Sequence, residues 1–118
     1  MSKSNIELEV ARYKEKTPKS ALLQSEAQRY LPGGSSRGTS YFDPYPHFIE
    51  KGAGPFLFDV DGNEYLDLMI NATSLILGHA HPEITAVIAD QASKGTAFSG
   101  PTESQISFSK VLINRIPS

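Results

Sequence analysis

The stretch Phe58-Asp59-Val60-Asp61-Gly62-Asn63-Glu64-Tyr65-Leu66-Asp67 reads as two strands folded back on each other. Apolar residues alternate at Phe56, Phe58 and Val60 before the break and at Leu66, Leu68 and Ile70 after it, the period-two pattern of half-buried strands. Between them, Asp61-Gly62-Asn63 is a hairpin signal, because Gly62 takes a positive φ without steric cost. Asp59 and Asp61 sit on and beside that turn. Their placement points to turn hydrogen bonding over paired-carboxylate acid–base work. A further short strand over residues 47–51 completes a three-strand meander.

Helices flank the meander on both sides. Ser4 and Glu7 have capping-box spacing, with Ile6, Val10 and Tyr13 following at helical intervals; that helix should end near Thr17, the residue before Pro18. A second helix is expected over residues 20–31, stopped by Pro32-Gly33-Gly34. Residues 33–46 read as an ordered loop, since Tyr41, Phe42 and Tyr45 would be costly to leave in water. Pro82 opens a third helix, with Ile84, Val87, Ile88 and Ala92 on one side and Gly95 closing it. Thr102 and Gln105 cap a fourth, whose apolar face is Phe108, Val111, Leu112 and Ile116. So much apolar helix surface around so short a meander reads as part of a domain.

Composition excludes several function classes. The chain has 118 residues, 39% hydrophobic and 20% charged, so it is a globular sequence outside the disordered range. A net charge of −2 with mixed signs gives no phosphate-backbone footprint, so nucleic acid is not an expected partner. With no cysteine, disulfides, thiolate metal sites and thiol nucleophiles are all ruled out. The first twenty residues carry no apolar run of signal or membrane-span length, so the expectation is a cytoplasmic chain with no membrane partner.

Four polar stretches are candidates for chemistry. Gly78-His79-Ala80-His81-Pro82 could offer two imidazoles to a metal, but lacks a third ligand; a turn with imidazoles bonded to nearby backbone is the preferred reading. Arg37, in Gly33-Gly34-Ser35-Ser36-Arg37-Gly38, could grip a carboxylate bidentately, although composition alone favours a solvated arginine. Asn71-Ala72-Thr73-Ser74 could line a pocket or be a polar turn, and the pattern leaves both open. Phe98-Ser99-Gly100-Pro101-Thr102 leads into a helix N-terminus, where free N–H groups favour anions, though most such termini bind only their own cap. No P-loop, dinucleotide-binding or nucleophile-elbow motif is present.

Taken together, Leu31-Pro32-Gly33-Gly34, the stretch from Phe58 to Asp67, Leu77-Gly78-His79-Ala80-His81-Pro82-Glu83-Ile84, and Phe98 to Glu103 resemble class III pyridoxal-phosphate-dependent aminotransferases in order and spacing. The resemblance spans residues 20–118 and takes in both glutamate-1-semialdehyde aminomutases and β-amino-acid aminotransferases. It implies an α+β segment, the short β-meander plus helices, forming the N-terminal part of a fold type I transferase (α/β). Residues 1–31 would be a helical extension, and residues 32–118 the N-terminal part of the small domain and the start of the large one. It also implies a homodimer and pyridoxal 5'-phosphate as cofactor, with amino acid and 2-oxo acid as small-molecule partners. The cofactor acts as an electron sink when the Cα proton leaves.

By the same resemblance, Arg37 with Ser36 binds a substrate carboxylate, and Asn71, Ala72 and Thr73 line the substrate pocket. Phe98, Ser99, Gly100 and Thr102 belong to a loop that reaches the neighbouring subunit's active site. Aminomutases have a Ser-Trp-Gly-like sequence where this chain has residues 71–73, and the shorter Gly-Gly to Arg spacing is closer to β-amino-acid aminotransferases. The family's phosphate-binding turn, pyridine-facing aspartate and Schiff-base lysine lie beyond Ser118. None of the seven lysines has a matching context, so no catalytic or cofactor-binding residue is expected here. The expectation is therefore a segment of an aminotransferase, inactive alone. A glutamate-1-semialdehyde 2,1-aminomutase segment and a non-catalytic dimerisation or binding module are the alternatives.

Overall fold

The computed structural model describes residues 4–36, 38 and 41–116. They fall into two compact units, one ending at His81 and one beginning at Pro82. In the first, helix α1 (Asn5–Lys16) starts as the capping box predicts: Ser4 N–H donates to Glu7 Oε2 at 2.7 Å and Glu7 N–H to Ser4 Oγ at 3.3 Å. Helix α2 runs over Pro18–Ala27, beginning two residues before the expected start. Pro18 is acceptable at the first helical position, where an N–H would lack an intrahelical partner anyway. The helix also ends before Leu31, and a 3₁₀ turn at Pro32–Gly34 follows.

The meander is present as β1 (Ile49–Ala53), β2 (Phe56–Asp59) and β3 (Glu64–Leu66), antiparallel in the order β1-β2-β3. Lys51 pairs with Phe58, and Leu57 pairs with Tyr65. Strand β1 thus lies two residues later than the expected 47–51. The hairpin is as read, with Gly62 at φ 89°. The third strand is shorter than expected and does not reach Ile70. The chain turns at Asp67, whose carboxylate accepts the Met69 and Ile70 amides, both at 2.9 Å, and takes them out of strand pairing. Residues Ile70–Thr73 form a one-turn element, α3, with φ of 41°, 49°, 53° and 69° in sequence order.

The interior of this unit is small and polar. Tyr45 is buried with Thr17, Ser20, Gln24 and Asp59. Tyr13 donates its hydroxyl to Tyr45 O at 2.9 Å, Thr17 donates to Tyr13 O at 2.7 Å, and the Tyr45 hydroxyl lies 3.2 Å from Thr17 Oγ1. Burial first of all pushes the Tyr13 hydroxyl up to about 12. An aromatic chain extends from here: Tyr13 meets Phe42 edge-on, Phe42 meets His47, and His47 stacks on Tyr65 with centroids 4.8 Å apart. Of the loop aromatics, Tyr45 is buried as its cost in water demands, whereas Phe42 packs on Tyr13 and His47 but stays 41% exposed and Tyr41 is 44% exposed.

In the second unit, α4 (Pro82–Lys94) and α5 (Glu103–Arg115) occupy the two predicted helical spans. Thr102 N–H donates to Gln105 Oε1 at 3.3 Å, the closing half of the predicted cap. Their apolar faces are not buried: Val87 and Phe108 are 67% and 63% exposed. The excess apolar surface inferred from the sequence is a property of the structure. The architecture is the α+β segment expected, a short meander with helices.

Candidate functional site

Element α3 is built from residues that avoid its backbone conformation. Left-handed helical geometry costs an L-residue about 1–2 kcal/mol, and α3 adopts positive φ at four successive non-glycine positions. Local bonds support the turn: Asn71 Nδ2 donates to Ser74 Oγ at 3.0 Å, Ser74 Oγ donates to Asn71 O at 2.9 Å, and Thr73 N–H to Met69 O at 3.2 Å. It leaves Asn71, Ala72 and Thr73 exposed. Strain of this kind over consecutive residues is characteristic of sites where geometry is set by function.

Behind the turn is a pair that the sequence does not reveal. Asp67 Oδ2 lies 2.7 Å from His79 Nε2, with the two side chains 7% and 18% exposed. The sequence favours imidazoles bonded to backbone; His79 instead takes a carboxylate. That hydrogen bond, followed by the Ile70 amide, holds the Asp67 carboxyl below the usual carboxylate value. Glycines make the approach possible. A Cβ on Gly52 would lie 2.5 Å from His79 Cγ, and one on Gly78 would lie 2.6 Å from Gly54 O. The available signal is Asp67 itself: an aspartate bonding to backbone two and three residues on is an Asx-type turn former.

The other predicted residues are placed as follows. Ser36 lines a cleft of about 420 Å³ with Leu31, Phe42, His47 and Phe48, and Asn71, Ala72 and Thr73 do not line it. Arg37 falls outside the described residues. A wider groove, about 680 Å³, runs along α1 beside Phe42 and Pro44; no candidate site residue lines it. In the second unit, Phe98 and Thr102 share a groove of about 720 Å³ with Val87 and Gln91, and Ser99 and Gly100 stand outside it. Among the described residues no cluster of three or more histidines and carboxylates could hold a metal, and no helix is long and apolar enough to cross a membrane.

Lys14, Lys16, Lys19, Lys51, Lys94 and Lys110 are all exposed on helices or on strand β1. Lys94 is paired with Asp90 at 2.6 Å, and Lys51 lies over the Phe58 ring. None is desolvated in the way that would make a lysine amine nucleophilic.

The model of the family described as aminotransferase class-III matches residues 39–118. The chain belongs to that family. A glutamate-1-semialdehyde 2,1-aminomutase of Methanobrevibacter smithii is 41% identical over 96 residues, 81% of this chain and 23% of that protein. An omega-transaminase of Sphaerobacter thermophilus superposes with a TM-score of 0.79 at 43% identity, covering 84% of this chain and 23% of the other. A beta-phenylalanine aminotransferase of Variovorax paradoxus gives a TM-score of 0.84 at 28% identity over 92% and 25%. The chain spans about a quarter of the length of the curated relatives it matches. Class III aminotransferase membership and its fold thus rest on sequence and shape together.

Proposed function

We propose that this chain is part of a pyridoxal-phosphate-dependent aminotransferase that moves an amino group between an amino acid, β-amino acids included, and a 2-oxo acid. The observation that carries this reading is α3, which holds a strained turn and presents Asn71, Ala72 and Thr73 outward. A pocket wall of amide, methyl and hydroxyl groups suits a small polar substrate. Ser36 and Arg37 are the proposed carboxylate contact, the arginine through its planar fork. Phe98, Ser99, Gly100 and Thr102 are proposed to reach a second subunit's site in a cytoplasmic homodimer. Residues 1–31 would be the helical extension, and residues 32–118 the start of the aminotransferase domains.

Pyridoxal phosphate is the proposed cofactor of the whole enzyme, where it supplies the electron sink for Cα chemistry. The exposed lysines of this segment do not fit it, so its site is assigned to the remainder of the enzyme. The chain alone is then expected to catalyse nothing. A second reading, an aminomutase segment, is favoured by the 41% identity to the Methanobrevibacter smithii enzyme. Against it stands the sequence at residues 71–73, which departs from the aminomutase pattern.

The test replaces the matching segment of the Sphaerobacter thermophilus omega-transaminase with this chain. Transfer from a β-amino acid to pyruvate or 2-oxoglutarate, lowered by Arg37→Ala for carboxylate-bearing donors and unchanged for a simple amine, supports the proposal. Turnover of glutamate-1-semialdehyde without transfer would replace it with the aminomutase reading. A folded chimera with neither activity leaves a binding module.

A further inference from the structure

The left-handed turn α3 needs something to hold it, and its internal hydrogen bonds do not join it to the sheet. Asp67 does. Its Oδ1 accepts both the Met69 and Ile70 amides at 2.9 Å, the two donors that lead into the turn. Its Oδ2 meets His79 Nε2 at 2.7 Å. The backbones of both residues are fixed to the link between β1 and β2. Asp67 N–H donates to Pro55 O at 2.9 Å, His79 N–H donates to Gly54 O at 2.8 Å, and Gly54 N–H donates to His79 O at 2.9 Å. Adjacent residues of one tight turn thus bring a carboxylate and an imidazole together from positions twelve apart in sequence. The His79 ring is confined by Gly52, where no side chain would fit.

We propose that Asp67 is the positioning residue of the α3 turn and His79 its anchor, so that one carboxylate fixes where Asn71, Ala72 and Thr73 stand toward substrate. This rests on the reading of α3 as a pocket wall. The chemistry favours it: hydrogen bonds to a charged acceptor are stronger than those between neutral groups, and Asp67 makes two of them to the amides that lead into the left-handed turn. Asparagine at position 67 keeps an oxygen for the two amides but loses the charge facing His79. Alanine loses both functions. The two substitutions therefore separate capping the turn from anchoring it.

Two readouts make the test. In the 118-residue chain, NMR couplings and chemical shifts report the left-handed backbone at Ile70–Thr73 while the Asp59 to Asn63 hairpin serves as internal control. Asp67→Ala should abolish the left-handed signature with the hairpin retained; Asp67→Asn should keep the turn but shift the His79 ring nitrogens. In the chimeric transaminase, Asp67→Ala should raise KM for the amino donor roughly tenfold or more with the bound cofactor's absorption unchanged, and Asp67→Asn should recover most of that loss. A left-handed turn that survives Asp67→Ala overturns the proposal. Loss of hairpin and turn together in both variants also overturns it, since Asp67 would then be merely structural. A turn that melts while KM stays constant refutes the pocket-wall reading and Asp67's role toward substrate, and leaves the amino-transfer assignment standing.

Discussion

Asp61, at the tip of the hairpin, caps the start of α2 through Ser20: its Oδ2 accepts the Ser20 amide at 3.0 Å and the Ser20 hydroxyl at 2.7 Å. Its Oδ1 takes the Lys19 amide at 2.6 Å. Thr17, the residue preceding α2, makes no capping bond from its own side chain, so the helix takes its N-cap from across the fold. On the other side of the same elbow, Asn63 Nδ2 donates to Lys16 O at 2.9 Å, at the end of α1. The hairpin tip therefore places a carboxylate at one helix start and an amide at the preceding helix end, each matched to the helix dipole.

Replacing Asp61 with Ala should free α2 without undoing the meander. Loss of a capping carboxylate costs about 1 kcal/mol, so amide exchange at Lys19 and Ser20 should quicken about fivefold. Exchange at Leu57 and Tyr65, paired within the sheet, should not change. Equal acceleration at both places would show that the hairpin and the helix do not act as separate units.

Acid should release the same contacts. Burial works to raise both Asp59 and Asp61, but hydrogen bonds outweigh it: Asn63 and Tyr65 on Asp59, and Ser20 with the Lys19 and Ser20 amides on Asp61. Both carboxyls end below their ordinary values. Groups depressed in this way stabilise the fold fully above the unfolded carboxyl pKa, about 4, and lose that contribution as pH falls through the lower folded values. Circular dichroism and amide spectra should stay constant from pH 7 to about 5 and change below about 3. A transition centred above pH 5 contradicts this assignment.

Two glycines with positive φ should respond differently to alanine. Gly62 has φ 89° and open space where a Cβ would stand, so Gly62→Ala meets only backbone strain, about 1–2 kcal/mol. Gly78 has φ 78° and would drive a Cβ to 2.6 Å from Gly54 O. Gly78→Ala should therefore break the bridge between Gly54 and His79 and cost about 2–3 kcal/mol, read as faster exchange at both amides. Comparable effects at the two positions would mean the close approach of Gly54 and Gly78 is not maintained in solution.

The exposed apolar faces make a further prediction. Ile84, Val87, Ile88, Phe108 and Ile113 are all more than a third exposed, a concentration that soluble monomers rarely carry. The chain alone should bind a hydrophobic dye and self-associate as concentration rises in sedimentation measurements. Inside the chimeric transaminase the dye should be excluded. A strictly monomeric chain that binds no dye would mean the two helices cover each other in solution.

What the sequence could and could not reveal follows from range. The α1 cap and the Asp61-Gly62-Asn63 turn are local devices, and both stand where residue type places them. The start of α2 differs from its expected position because its cap comes from Asp61, 41 residues from Ser20. The third strand is shorter than its pattern because Leu68 and Ile70 keep the alternation while the Asp67 carboxylate withdraws the backbone amides. Ile70, Ala72 and Thr73 are residue types that disfavour positive φ, so no local preference announces α3. Asp67 and His79 pair through the link between β1 and β2, a relationship that emerges only once the strands are in register.

The most direct test of the account is where pyridoxal phosphate attaches. The chain alone and the chimeric transaminase would each be incubated with the cofactor, reduced with borohydride and mapped by peptide mass spectrometry. The prediction is one stoichiometric label in the chimera, on a lysine supplied by the transaminase remainder, and no preferred site among the lysines of this chain. A single lysine of this chain labelled stoichiometrically, with a stable visible absorption band before reduction, would contradict it.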